Sequence, residues 1–338
     1  MPKRKPKRRS RRGRHRAVTI VIIAAFAVFS VLVTLQERYD MDFGIPEIPS
    51  IPAGIFSAID DFLGEPASPS LSESAFDDLR VHFIDVGQGD AILIQTRYSN
   101  VLIDAGERNQ GDNVLAYMRR QGVRELDIII ATHAHSDHIG GIETIIRAMD
   151  VHKVIMPEVP DAIVSTTRTY TNLLLALYEG GHSITPARAG AVYDLGGGAY
   201  LTIIGPIQDY NSLNDMSVVS RVDFGDVSFL FTGDLERRGE LDLVAAGANL
   251  SADVLDVAHH GSRSSTSESF VIAVSPRYAI ISCGIDNSYG HPRREVLDRL
   301  TEHGAEIYRT DLDGTIVVSS DGRELHIDAQ NRRQLWAG

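Results

Sequence analysis

The chain has 338 residues, 43% of them hydrophobic and 23% charged, which suffices for a large core, and its single cysteine, Cys283, excludes an internal disulfide or a cysteine metal cluster. The net charge of −12 conceals a split, because residues 1–16 hold ten of the 33 Lys and Arg and no acid, leaving 23 basic against 45 acidic residues in the remainder. An acidic body excludes broad adhesion to polyanions, so a nucleic-acid substrate needs a locally basic approach or metal ions as the source of positive charge.

In chain order, residues 1–16 are a basic tail. Residues 17–35 (AVTIVIIAAFAVFSVLVTL) carry no charge. As a helix they span about 28 Å at ~1.5 Å per residue, close to the ~30 Å hydrocarbon core. The run exceeds the ~7–15 residues of a signal-peptide apolar region, and no small-x-small site closes it, so it reads as an uncleaved single-pass anchor. Basic residues stay on the cytoplasmic side, which sends the rest of the chain across the membrane. Residues 36–78 form a linker broken by Pro46, Pro49, Pro52, Pro66 and Pro69.

A globular domain follows over 79–330. Alternating and β-branched runs predict strands at 80–84, 91–96 and 101–104, then a helix at 112–121, a strand at 128–131, a helix at 139–147, a strand at 153–156 and a helix at 169–179. Strands recur at 201–204, 217–224 and 227–232. A helix after Asp234 leads to a strand at 254–258. The remainder reads as a helix at 267–274, a strand at 278–282, a helix at 294–303 and strands at 306–309, 314–319 and 324–327. Two strand blocks with helices around them predict stacked sheets covered by helices. Cys283, in an apolar run, reads as a small buried residue at a strand end.

The chemical centre lies in 128–141, I-I-I-A-T-H-A-H-S-D-H-I-G-G. A buried-looking strand runs into a turn carrying His133, His135, Asp137 and His138. Imidazole and carboxylate are the ligand set of zinc and similar divalent ions. His133 and His135, two apart, can point to one side of an extended turn. Asp137 and His138 begin the next turn and can address a second ion. A polar loop with hydrogen-bonded histidines does not account for four ligand-type residues in six positions.

This segment resembles the H-x-H-x-D-H signature of the metallo-β-lactamase superfamily, and the resemblance spans nearly all of 79–328. Flanking stretches, V-H-F-I-D-V-G-Q-G-D-A-I-L-I (81–94), V-L-I-D-A-G (101–106), F-L-F-T-G-D-L-E (229–236), V-A-H-H-G-S (257–262) and Y-G-H-P (289–292), are similar to the hydrolase domain of ComEC-type DNA-uptake proteins and their stand-alone relatives. The resemblance implies an α/β fold, the αββα sandwich, with the metal site at one edge between the sheets. It implies that His133 and His135 bind a first ion, Asp137 and His138 a second, and that Asp234 bridges both. Asp104 braces the metal loop, with Asp85 as a further structural support. The last ligand falls on His259-His260, with His260 preferred and His259 left to support a ligand from behind or to face the substrate.

The superfamily's separate first-site histidine has no counterpart here. His152 and His182 sit in structural contexts, and N-D-M-S-V-V (214–219) stands at the expected position, so Asn214 and Ser217 are candidates to approach the first ion. His291, before Pro292 at a helix start, is expected at the rim, able to contact a phosphoryl oxygen or protonate a leaving group. Ser262 and the amides near the following helix are candidates for an anion.

Together these imply a hydrolase holding two divalent ions, zinc or manganese, that acts outside the membrane on a phosphodiester. The strand of a nucleic acid is the first candidate and an envelope polymer with phosphocholine esters the second. A catalytically weak accessory module of an uptake or envelope complex is the alternative of another kind.

Overall fold

A computed structural model describes residues 79–331. The basic tail, the apolar run and the linker lie outside the described residues, among which no helix is long and apolar enough to cross a membrane.

Two sheets form the interior. The first comprises β1 (Leu79–Phe83), β2 (Ile92–Thr96), β3 (Asn100–Ile103), β4 (Glu125–Ile130), β5 (Asp150–Met156), β6 (Ile184–Pro186), β14 (Ile316–Ser320) and β15 (Leu325–Ala329), in the order β15-β14-β1-β2-β3-β4-β5-β6. The second comprises β7 (Val192–Gly196), β8 (Ala199–Gly205), β9 (Val219–Phe224), β10 (Val227–Phe231), β11 (Val254–Asp256), β12 (Tyr278–Ile281) and β13 (Glu306–Arg309), in the order β13-β12-β11-β10-β9-β8-β7.

Period-two alternation divides the apolar residues into three layers. In β2, Ile92 and Ile94 face the other sheet while Leu93 faces outward. In β10, Val227, Phe229 and Phe231 enter the same inter-sheet core, and Leu230 points the other way. Outside the first sheet pack α1 (Gly111–Arg120), α2 (Ser136–Ile139), α3 (Ile142–Ala148) and α4 (Arg168–Glu179), through Val114, Met118, Ile142, Ile145 and Leu173. Outside the second pack α5 (Arg237–Ala245), α6 (Glu268–Val274) and α7 (Arg294–Glu302), through Leu243, Phe270, Val271, Val296 and Leu300. A short α8 (Thr310–Asp313) follows β13. This is the four-layer αββα sandwich that the sequence predicts.

Three details differ from the sequence reading. The helix expected at 139–147 is two helices, α2 and α3, separated by Gly140 and Gly141. Gly141 N–H donates to the Gly106 carbonyl at 3.0 Å, and the Asp137 carbonyl that a continuous helix would offer it accepts the Asp90 N–H instead. Strands β6 and β7 were not foreseen; both are short and largely half-exposed or exposed, which leaves little alternation to detect. Pro292 does not open α7: the helix begins at Arg294, and the His291–Pro292 peptide is cis.

Strands β3, β4, β5 and β6 are mutually parallel, as are β10, β11, β12 and β13. Their carboxyl ends therefore gather along one edge, where α/β sheets place ligand sites.

Candidate metal centre

Each sheet delivers its polar residues to this edge immediately after a parallel strand. Asp104 follows β3, residues 132–138 follow β4, Asp234 follows β10, and His259 and His260 follow β11. Backbone hydrogen bonds stitch the loops together: Ala105 N–H to the His138 carbonyl (2.8 Å), Asp90 N–H to Asp137 (3.1 Å), Val218 N–H to Thr132 (3.0 Å) and His259 N–H to Gly233 (3.0 Å).

The strand expected to run to residue 258 stops at Asp256. His259 and His260 then adopt left-handed φ of 53° and 56°. Consecutive non-glycine residues in that region cost on the order of 1–3 kcal/mol each, which the surrounding packing must offset. The result is that both rings face the site.

Asp234 stands at the centre, 2% exposed. Its Oδ1 is 3.1 Å from His138 Nε2 and 3.6 Å from His260 Nε2. Its Oδ2 is 3.6 Å from His133 Nε2 and 3.6 Å from His259 Nε2. Asp137 Oδ2 lies 3.4 Å from His260 Nε2, and His135 Nδ1 lies 2.9 Å from His133 Nε2. Four overlapping ligand-type groups result among the described residues, His133–His135–Asp234 and Asp137–His138–His260, and two that include Asp90, Asp90–Asp234–His260 and Asp90–Asp104–His138.

The outer nitrogens are held from behind. His138 Nδ1 is 2.8 Å from Asp104 Oδ2. Asp104, at φ 54°, also accepts from Thr132 N–H (2.8 Å) and Thr132 Oγ1 (2.5 Å). His260 Nδ1 donates to the Ser282 carbonyl, 2.9 Å. His133 Nδ1 is 3.1 Å from Thr132 Oγ1 and 3.3 Å from Ser217 Oγ. Such partners fix ring orientation and leave the opposite nitrogen for an ion.

The donors fit a divalent cation. His138 Nε2, His260 Nε2 and Asp234 Oδ1 are buried, converge, and have no hydrogen-bond partner among the described residues. Buried polar atoms left so are rare and costly.

The electrostatics point the same way. Burial disfavours charge on His138 and His260, yet the Asp234 carboxylate, with Asp104 at the first and Asp90 at the second, outweighs it and raises both well above the usual histidine range. Burial would raise Asp234, but the neighbouring His138 and His260 hold it well below the carboxylate range. Burial and the His138 charge lower His133. In the metal-free protein, protons on His138 and His260 compensate the carboxylates, as a cation would.

Other predicted residues fall elsewhere. Ser217 is not placed as an ion ligand: its hydroxyl sits on the outer nitrogen of His133 and accepts the Asp234 N–H at 3.2 Å. Asn214 donates to Glu236 Oε1 at 3.3 Å, the same oxygen that lies 3.5 Å from His259 Nδ1. Ser262 bonds Ser264 Oγ at 3.0 Å, and the Glu240 carboxylate takes the Thr266 and Ser267 amides just before α6. Asp85 is exposed and accepts the Gly87 N–H at 3.0 Å; it shapes a turn without touching the cluster. The buried carboxylate of that loop is Asp90, which the sequence reading missed, 3.5 Å from His260 Nδ1 and 3.7 Å from His138 Nδ1. Asp90 follows Gly89, whose φ is +128°, and its N–H bonds the Asp137 carbonyl from another loop, which nothing local in the sequence signals. His152 lies away from the cluster, near Glu125 and Asp127.

The cluster opens into a cleft of about 470 Å³ lined by Gln88, His135, Asp137, Thr167, Thr169, Tyr289 and His291, among others. His291 stands at its wall, ring centroids 5.7 Å from His259 and 6.5 Å from His260. Burial and those two rings lower its pKa to about 4.

The family described as the metallo-beta-lactamase superfamily matches residues 84–285. The chain is 35% identical over 254 residues to ComE operon protein 3 of Bacillus subtilis, covering 70% of this chain and 32% of that protein. It is 33% identical over 235 residues to competence protein ComA of Neisseria gonorrhoeae, covering 69% and 31%. Recombination protein 2 of Haemophilus influenzae is 32% identical over 264 residues, covering 76% and 31%. The chain thus spans about a third of the length of these relatives. With the fold, the ligand cluster and the match over most of the described domain in place, this chain belongs to the metallo-β-lactamase superfamily.

Proposed function

We propose that the protein is a metal-dependent phosphodiesterase that acts on a nucleic-acid strand outside the membrane, anchored by residues 17–35. The observation that carries this reading is the division of Asp234, one oxygen toward His138 and His260, the other toward His133 and His259. Two clusters joined by one carboxylate suit a paired-ion site, which fits in-line displacement at a phosphodiester. His133, His135 and Asp234 would hold one ion, with His259 Nε2 3.6 Å from the same Asp234 oxygen. Asp137, His138, Asp234 and His260 would hold the other. Zinc or manganese in such a site supplies Lewis acidity and lowers the pKa of water toward ~7.

The chain's own groups supply positioning. Asp137 is half-buried on the cleft side. Burial opposes its charge, but the neighbouring His260, 3.4 Å away, together with His138, keeps it ionised, so it can orient a water or accept its proton. His291, neutral in the free protein, can offer a ring N–H to a phosphoryl oxygen or leaving group. The similarity to competence proteins supports a DNA strand as substrate, and the positive charge of the ions answers the acidic body.

The test is a panel on the full-length, metal-supplemented protein: bis(p-nitrophenyl) phosphate, single-stranded and duplex DNA, RNA and choline-phosphate esters. Asp137→Ala is expected to lower diester turnover by more than about 100-fold, since even partners behind a ligand are worth 10–100-fold. Unchanged turnover in the metal-loaded variant contradicts the proposal. A parent protein that binds no ion and cleaves nothing would instead support an accessory module.

A further inference from the structure

The alternation that sends Leu79, Val81, Ile92, Ile94 and Val101 into the inter-sheet core turns Arg80, Gln95 and Asn100 to the outer face of the first sheet. Arg80 stands opposite Gln95, and Gln95 opposite Asn100, so the three form one polar row across β1, β2 and β3. The next row, His82, Leu93 and Leu102, is buried, with His82 Nδ1 2.9 Å from Tyr117 Oη of α1. Helix α1 ends at Arg120, and the turn at Gln121 and Gly122 (φ +81°) leads the chain away to β4. Helical cover therefore stops short of the polar row, whose residues are only half-buried.

What the helix leaves open is a cavity of about 400 Å³, lined by this row, by Arg97 of the β2–β3 turn and by Gln121 and Gly122. Across Gly122, which lines both, lies a second cavity of about 390 Å³ that includes Arg119 and Arg124. No carboxylate lines either one, although the body has 45 acidic residues for 23 basic ones. The metal cleft, by contrast, includes Asp137 and Asp234, and a cavity of about 590 Å³ includes Glu158, Asp161 and Asp209. Asp127, beside the row on β4, accepts the Asn100 N–H at 2.8 Å and lies 3.6 Å from His152 Nδ1. Gln95 Nε2 donates to Asn100 Oδ1 at 3.0 Å, and Asn100 Nδ2 donates to the Glu125 carbonyl at 3.4 Å. Both amides are thereby oriented, and each NH₂ group has a further N–H to give. The charge of Arg80 is felt on this face: after burial, it is the main cause that lowers His82 to about 4. Guanidinium and amide donors from a sheet face and two turns suit a tetrahedral oxyanion, which accepts from several directions.

We infer that this cavity is a second ligand site, for a phosphate group held by Arg80 and Arg97, and that the adjoining cavity of Arg119 and Arg124 takes a second phosphate of the same ligand. The ligand class is a small phosphorylated compound, free or as the headgroup of an acidic lipid. Asn100 and its partner Glu125 stand at the start of β3 and β4, whereas the metal ligands follow the end of β4 at Ile130. That strand is about 17 Å long at ~3.3 Å per residue. The site thus occupies the opposite edge of the sheet from the metal centre, and it stands whether or not that centre cleaves phosphodiesters.

The experiment measures binding of inorganic phosphate, pyrophosphate and glycerophosphoglycerol, the headgroup of phosphatidylglycerol, to the full-length, metal-loaded protein by equilibrium dialysis. The parent is compared with Arg80→Gln, Arg97→Gln and Arg124→Gln, and the difference cancels any phosphate held by the ions. Pyrophosphate is expected to bind more tightly than phosphate. Arg80→Gln and Arg97→Gln should each weaken both about tenfold, the scale of one lost hydrogen bond to a charged group. Arg124→Gln should weaken pyrophosphate and spare phosphate. Thermal midpoints near that of the parent check that the variants fold, and turnover of bis(p-nitrophenyl) phosphate should stay at the parental rate in all three. Glycerophosphoglycerol bound more tightly than phosphate, and lost in Arg97→Gln, assigns the site to a lipid headgroup; the reverse order assigns it to a soluble phosphate. Equal binding of all ligands by the parent, Arg80→Gln and Arg97→Gln overturns the inference. So does a single-stranded oligonucleotide that needs both arginines while none of the three small ligands binds. A parent inert toward the diester but binding phosphate through these arginines removes the phosphodiesterase reading and supports this site.

Discussion

Asp104 shows how one residue converts a buried histidine into a candidate ligand. Fully buried, it accepts from the Thr132 amide and hydroxyl and holds His138 Nδ1, so Nε2 must face Asp234. Asp104→Ala is expected to lower metal affinity by about 10–100-fold, the usual value of a partner behind a ligand. Chelator competition measures it, and parental affinity would show that the ring is oriented by packing alone. The protons on His138 and His260 make a second prediction. Both groups are raised above ~6.5, the unperturbed value, by carboxylates that outweigh burial. Their contribution to metal-free stability is therefore full below that value and is lost as pH climbs through the raised pKa values. An ion needs the neutral rings, so binding at neutral pH must expel protons, and affinity must rise with pH there. Calorimetry in buffers of different ionisation heat should reveal the release; identical heats after correction would refute it.

Loops joining strand ends to helices carry the site, and their close approach depends on glycine at particular points. A Cβ on Gly89 would stand 2.2 Å from the Asp137 carbonyl oxygen, the atom that accepts the Asp90 N–H, and φ there is +128°. Gly89→Ala should therefore part residues 87–90 from the ligand turn, costing more than the roughly 1–2 kcal/mol of a left-handed alanine and weakening ion binding. Gly122→Ala is the control, since φ is +81° but nothing lies within 4 Å. Thermal unfolding with and without metal reads both, and equal losses in the two variants would contradict the proposed clash. At this scale much was legible in the sequence. The strands of both sheet centres were found because nearly every residue is apolar or alternates, and the 133–138 turn was found because its ligand types are adjacent in the chain. The helix break at Gly140–Gly141 was hidden, since the bonds that replace the helical one come from Gly106 and Asp90, on loops distant in the chain. Asp90 went unread, and Ser217, read as a candidate to approach the first ion, lies against the outer nitrogen of His133, for a related reason. Which way each side chain points is set by how loops from separate strands meet, and that leaves no local pattern.

Across the whole described domain, three apolar layers hold the sheets in register, so that Asp104, the 133–138 turn, Asp234 and His259-His260 meet along one edge. The long-range part of that arrangement was readable only through the family resemblance; composition and periodicity gave layers without saying which loops converge. Convergence on Asp234 is the claim from which the rest follows, and ion content tests it most directly. The full-length protein and its Asp234→Asn variant would be equilibrated with zinc or manganese, freed of loosely held metal, and analysed for ions per chain by mass spectrometry. The account predicts two ions in the parent and a loss at both sites in the variant. A parent with no bound ion, or a variant that keeps two at parental affinity, would contradict it.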